Sequence, residues 1–225
     1  MRRVAVYTMT RNYYEVAIPA IKSLLINGAP DLIYILVEDD YVPIDLPKVK
    51  FINMAHQNIF WQQGPNFTSR WTYMAMMKVA LFKVLEDEDR VLSLDCDTFV
   101  VRDISELWEL PIDDYYLAAG KEPGKSRPDF MSINGGVMLQ NLAKLRDGKG
   151  EDLIIAMNTT RFAFVDQDAI SELCQGEILE LPPEFNVHPW AVRTNKEPAI
   201  IHYAAIRDWT KQPLYLKYKR AEVST

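Results

Sequence analysis

The chain has 225 residues, 48% hydrophobic and 25% charged, with a formal net charge of −6. That size and apolar share suit a single domain, 1–225, with a full-sized core, and the acidic balance without a dominant basic cluster excludes nucleic acid as the main partner. Two cysteines, Cys96 and Cys174, form no disulfide framework or structural zinc set.

Val4 to Thr8 reads as a first strand. Tyr14, Ala17, Ile18, Ile21, Leu24 and Leu25 recur at helical spacing, and Gly28 with Pro30 stops that helix. Leu32 to Val37 is a continuous apolar run, as expected of a strand covered on both faces. Lys48 to Ile52 offers a short strand. Asn53 to Arg70 is polar and aromatic without a clear period, and reads as a long loop of the functional or mobile kind. A helix is expected from Trp71 to Glu86. After the strand from Val91 to Leu94, Asp103 can cap a short helix through Leu107 and Trp108. Tyr115 to Ala119 is a strand, Gly120 to Asp129 a loop, and Asn134-Gly135-Gly136 a turn into another strand that continues to Leu139. Leu153 to Met157 and Asp166 to Leu173 read as helices. Glu177 to Leu181 and Ala199 to His202 read as late strands. The alternation argues an α/β sandwich with a mostly parallel sheet.

No signal peptide is visible at Met1-Arg2-Arg3-Val4, and no apolar run approaches the ~18 residues of a membrane span. The expectation is a cytoplasmic protein with no integral membrane segment. Asn66-Phe67-Thr68 and Asn158-Thr159-Thr160 fit the glycosylation sequon, and without a secretory signal they read as coincidence.

The stretch from Arg90 to Val101 organises the chain. A buried strand ends in Asp95-Cys96-Asp97, and two carboxylates there are costly to bring together without positive charge between them. At i and i+2 of extended backbone their side chains leave the same side and can converge on one hard cation. The carboxyl end of a central strand is also where ligands bind in open α/β sheets. The functional reading is a metal site that holds a diphosphate; the alternative is an acidic turn that caps the next helix.

Lys78 falls on the apolar stripe Met74, Met77, Leu81, Val84 and Leu85. A core-facing ammonium calls for an anionic partner, unless it snorkels to the surface. Thr8, Thr10, Asn12 and Tyr14 lie at the end of the first strand, where their polar groups can hold a base and ribose or cap a helix. Asn134 and Gly135 sit in a segment whose small residues let a ligand approach the backbone. Asp166 and Gln167 begin a helix, where acidic side chains suit the dipole. Of three histidines, only His202 ends a buried-looking strand. Its imidazole can complete a shell begun by two carboxylates, which favours manganese or magnesium over calcium.

Together these segments resemble the retaining nucleotide-sugar glycosyltransferases grouped with glycogenin and the bacterial lipopolysaccharide galactosyl- and glucosyltransferases, glycosyltransferase family 8. Val6 to Tyr14 with Lys22-Ser23-Leu24-Leu25 is similar to the family's first strand, nucleotide loop and helix. Lys78 resembles its basic residue before the Asp-x-Asp motif, and Val91 to Val100 resembles the motif itself. Ile133 to Leu139 is similar to its Asn-x-Gly segment, Asp166-Gln167 to its Asp-Gln pair, and Leu181 to Asn186 to its Leu-Pro…Asn turn. Ile201-His202-Tyr203 resembles the segment that supplies a third metal ligand. Beyond His202 the chain departs from the pattern: an alanine replaces the usual glycine, Arg207 the lysine and Asp208 the proline.

The resemblance implies a GT-A-type, Rossmann-like α/β/α sandwich and a retaining hexosyltransferase. The donor would be a UDP-sugar, glucose or galactose, and the acceptor a hydroxyl, on a glycan or another molecule. It implies Mn2+ (or Mg2+) on Asp95, Asp97 and His202, donor contacts from Thr8, Thr10, Asn12, Tyr14, Lys78, Asn134, Gly135 and Arg207, and catalytic roles for Lys78, Asp166 and Gln167. Two other classes stay open at this point. A nucleotidyltransferase shares strand-end carboxylates, although Thr8 to Tyr14 lacks a glycine-rich loop; a non-catalytic nucleotide-sugar-binding module predicts binding without turnover.

Overall fold

A computed structural model describes residues 2–69, 71–191 and 194–223. Met1, at the strand-like amino-terminal run, and Arg70, at the end of the expected long loop, lie outside the described residues. Strand β1, Val4–Thr8, leads through a 3-10 turn into helix α1, Tyr14–Asn27. Strands β2, Leu32–Val37, and β3, Val49–Asn53, follow. The expected helix from Trp71 is instead three short pieces: α2, Thr72–Met76, a 3-10 segment at Met77–Ala80, and α3, Leu81–Val84. Lys78 lies in the tightened middle piece, and a 3-10 stretch within a helix commonly marks a functional or strained site.

Then come β4, Arg90–Leu94, β5, Thr98–Val100, and α4, Ser105–Trp108. Asp103 accepts a hydrogen bond from Ser105 N–H at the start of α4, as its position suggests. Strand β6 is Leu117–Lys121, shifted toward the carboxyl side of the expected span. The Asn-Gly-Gly segment is not a turn: it lies inside β7, Ile133–Asn141, buried along its whole length. Helices α5, Leu142–Leu145, α6, Lys149–Thr159, and α7, Val165–Leu173, precede β8, Ile178–Glu180, and β9, Ile200–His202. Helix α8, Pro213–Arg220, follows.

Among the described residues seven strands form one sheet in the order β3-β2-β1-β4-β7-β6-β8, and β5 with β9 forms a small second sheet. The pairs on the β3 side are parallel through β4, while β7 runs antiparallel to both neighbours. Alternation along the strands splits the core in two. Ala5, Tyr7, Ile33, Ile35, Leu92 and Leu94 pack toward α1, α4, α8 and the small sheet. Val4, Val6, Leu36, Val91 and Met138 pack toward α2, α3 and α5 to α7. This is an α/β/α sandwich, and burial on both faces explains why these strands read as continuous apolar runs.

The long segment between β3 and α2 is tied down by two buried asparagines. The Asn66 amide donates to the carbonyls of Met157 and Thr160 and accepts from Phe162 N–H. Asn158 accepts from Trp61 N–H and donates to Ile59 O. Both sequon asparagines therefore serve as buried loop anchors.

Candidate active site

Strand β4 lies in the middle of the main sheet and delivers Asp95 at its carboxyl end. The residues that follow form a turn rather than extended backbone: Thr98 N–H and its hydroxyl both return to Asp95 O, at 3.2 and 2.7 Å. The chain then enters β5, where Thr98 pairs with His202 of β9. That pairing sets His202 Nε2 3.2 Å from Asp97 Oδ1 and 3.7 Å from Asp95 Oδ2. One potential ligand atom from each of the three residues lies within 4.8 Å of the others. Ligand atoms about 2.0–2.6 Å from one ion would be spaced in this way, so the set fits a divalent cation. Two carboxylate oxygens and an imidazole suit a hard or borderline cation better than a soft metal.

Lys78 Nζ donates to Asp95 Oδ1 and, at 3.0 Å, to Gly135 O, and lies 3.7 Å from Asp166 Oδ2. The anionic partner that this position calls for is thus Asp95, with the Asp166 carboxylate beside it. Burial opposes the ammonium, but Asp95 and Asp166 outweigh it and hold Lys78 above its ordinary pKa. Burial pushes the Asp166 carboxyl up to about 6 against the opposing charge of Lys78. Burial also opposes charge on His202 and Asp97, yet their mutual attraction raises the imidazole and lowers the carboxyl. His188 packs edge-on to His202 with ring centroids 4.9 Å apart. Burial lowers it to about 4, so this second ring is neutral at neutral pH.

Two cavities meet at these groups. One, of about 210 Å³, is walled by Lys78, Asp95, Asp97, Glu122, Asn134, Gly135, Phe164, Asp166, Gln167 and His202. The other, of about 230 Å³, is walled by Thr8, Met9, Thr10, Tyr13, Trp71, Cys96 and Trp209, and shares Lys78 and both aspartates. The structure therefore gathers most of the sequence-predicted site residues. Three lie elsewhere. Asn12 is exposed and lines neither cavity, and Tyr14 turns into the core. In their place Tyr13 faces the second cavity, because α1 begins at Tyr14 and needs that ring for its apolar face. Arg207 is exposed and also lines neither cavity.

Glu122, Trp71 and Phe164 were not singled out by sequence. Glu122 Oε2 accepts from Asn134 Nδ2 at 2.7 Å and Gln167 Nε2 at 3.2 Å. It stands in the loop after β6, where one acidic residue among prolines and glycines carries no local signal. Gln167 Oε1 in turn accepts from Gly135 N–H at 2.9 Å. Capping at α7 falls to Asp168, which accepts from Phe164 N–H and leaves Asp166 to the site. Thr72, Val165 and Ala205 have positive φ of 59°, 35° and 61° around these cavities. Non-glycine residues held there are strained, and such strain gathers at functional sites.

The family model described as glycosyl transferase family 8 matches residues 4–211. The chain belongs to that family. It is 25% identical to general stress protein A of Bacillus subtilis (strain 168), over 67% of this chain and 65% of that protein. It is 25% identical to glycosyltransferase GlyD of Streptococcus pneumoniae, over 93% of this chain and 29% of that one. The chain thus spans less than two thirds of the length of both relatives. A solved galactosyltransferase, LgtC, in complex with donor and acceptor sugar analogs, superposes with a TM-score of 0.71 at 18% identity, covering 99% of this chain and 97% of that chain. At that identity the likeness establishes the GT-A fold of this family 8 chain, and its chemistry rests on the site. Among the described residues no helix is long and apolar enough to cross a membrane.

Proposed function

We propose that 1–225 is one catalytic domain, a metal-dependent retaining hexosyltransferase that moves glucose or galactose from a UDP-sugar to a hydroxyl of a glycan acceptor. The observation that carries this is the meeting of Asp95, Asp97 and His202 with the Lys78 ammonium at the junction of two cavities. In this reading Thr8, Thr10 and Tyr13 receive the nucleoside in one cavity, and Asn134, Asp166 and Gln167 orient the hexose in the other. A cytoplasmic setting accords with the two unpaired thiols, Cys96 and Cys174.

Asp95, Asp97 and His202 would hold manganese or magnesium, whose charge would act as a Lewis acid on the diphosphate. Lys78, held in place by Asp95 and Gly135 O, stabilises the negative charge that develops on the leaving diphosphate. Retention needs either a carboxylate nucleophile or a same-face route. Gln167 is an amide whose oxygen already accepts from Gly135 N–H, so it is a poor nucleophile. Asp166 is paired toward Lys78. This favours the same-face route, in which the acceptor hydroxyl attacks the oxocarbenium-like carbon and its proton passes to the departing phosphate oxygen.

The test is a thermal-shift screen of nucleotide sugars with and without manganese, followed by assay of released UDP. A manganese-dependent shift with UDP-glucose or UDP-galactose, and UDP release in their presence, is expected. Stronger binding of guanosine than uridine nucleotides would refute the donor, and binding without any turnover would make the chain a binding module.

A further inference from the structure

Asn134, Asn186 and His202 are 6%, 4% and 3% exposed, and their side chains form one hydrogen-bonded line. The line starts on groups with fixed roles. Gly136 N–H can only donate, and it donates to Asn134 Oδ1 at 3.1 Å. Asn134 Nδ2 donates to Glu122 Oε2 at 2.7 Å, which agrees with that placement of the oxygen. These contacts leave one orientation for the Asn134 amide. Its oxygen then accepts from Asn186 Nδ2 at 3.0 Å, which turns Asn186 Oδ1 toward His202 Nδ1, also at 3.0 Å. An amide oxygen cannot donate, so His202 carries a proton on Nδ1. In the neutral ring the lone pair is then on Nε2, the atom that faces Asp97 and Asp95.

The backbone is built around this line. A Cβ on Gly136 would stand 2.0 Å from His202 Cε1, and one on Gly120 would stand 3.1 Å from Asn186 Nδ2. We propose that Asn186 is a positioning residue that, held from behind by Asn134 and Glu122, locks His202 in the Nδ1–H tautomer and presents its Nε2 lone pair to a divalent cation. This rests on the reading of Asp95, Asp97 and His202 as a metal centre. A neutral imidazole binds a metal through one nitrogen, and the partner of the other nitrogen selects which one. Without Asn186 the Nε2–H form gains the advantage, because it can donate to Asp97 and its proton occupies the ligand position.

Nitrogen-15 imidazole spectra of the metal-free chain, recorded at a pH where His202 is neutral, read the tautomer without any metal or substrate. The parent is expected to show Nδ1 protonated and Nε2 bare. Asn186→Leu removes the acceptor, and should shift His202 toward the Nε2–H form and raise the manganese Kd by about 10–100-fold in calorimetry. Asn186→Asp keeps an acceptor against Nδ1–H but loses the donor to Asn134 Oδ1, and should restore the tautomer and part of the affinity, which a merely space-filling role would not predict. An Nε2–H ring in the parent overturns the proposal, whether or not Asn186→Leu folds. So does an unchanged tautomer in folded Asn186→Leu. An Nδ1–H ring in a parent that binds no manganese would instead sink the metal centre, leaving the tautomer assignment intact.

Discussion

Thr98 stands directly opposite His202 in the pairing of β5 with β9. Because Thr98 immediately follows Asp97, this one pairing joins residues far apart in the chain into a single candidate cation-binding cluster. Tyr203 N–H donates to Asp97 O at 3.1 Å and fixes the register from the other side. The small sheet is thus the element that assembles the centre, while the main sheet supplies Asp95.

Removing one ligand should expose how the three share the cation. Asp97→Ala deletes the carboxylate nearest His202 Nε2 and should abolish manganese-dependent nucleotide binding. Asp95→Ala and His202→Ala should weaken it. Calorimetric titration of manganese with and without UDP reads all three, and chelator-resistant activity in Asp97→Ala would contradict the metal role.

Lys78→Met keeps the length and apolar packing of the side chain but removes its charge. It should cost on the order of 2–4 kcal/mol in transition-state stabilisation, as loss of one preorganised charge-stabilising group does. Arg207→Ala should cost much less, since Arg207 is exposed and outside both cavities. Comparing kcat/KM of the two variants at saturating manganese checks the order. An active Lys78→Met beside a dead Arg207→Ala would assign the anchoring cation to the loop instead.

Gly136→Ala tests the close approach behind His202. The added methyl carbon would fall 2.0 Å from the ring, and the buried imidazole would have to leave its place beside Asp97. Overpacking of this kind costs roughly 1–3 kcal/mol. Urea unfolding should show that loss, and manganese binding should fall with it. A variant with parental affinity would mean that the ring has room to move.

Much of this was legible in the sequence, and the reasons differ by element. The strands ending at Thr8, Val37 and Leu94 are buried on both faces, so their apolar runs mark them directly. Asp95 and His202 each close an apolar run and Asp97 lies two residues beyond Asp95, which is why the three stand out as candidate ligands. The Asn-Gly-Gly segment misled because glycines usually signal a turn. Here Gly136 stays within a strand because His202 packs where its side chain would be. The helix from Trp71 kept its apolar stripe but not its regular backbone, and periodicity does not report a 3-10 turn. Glu122 and Asn186 were missed as site residues because their partners, Asn134 and His202, come from distant strands. Tyr13 and Tyr14 were exchanged because the first residue of α1 decides which ring faces inward.

Asp166 gives the chain a pH dependence of unusual sign for a carboxylate. Burial raises its native pKa to about 6, from an ordinary value of 3.8. Between those values the native state holds the proton that the unfolded chain has already lost. The native state binds more protons there, so stability falls as pH rises from about 4 to about 6, and levels off above that. The full effect of a shift of this size is on the order of 3 kcal/mol. Asp166→Asn resembles the protonated form and removes the titration. Relative to this variant, the parent should lose stability across the window, so that Asp166→Asn is the more stable protein at neutral pH while losing transferase activity. Urea unfolding of both metal-free proteins at several pH values across that interval measures the difference. Parallel stability profiles would show that Asp166 titrates alike in the folded and unfolded chain, and that Lys78 fully offsets its burial.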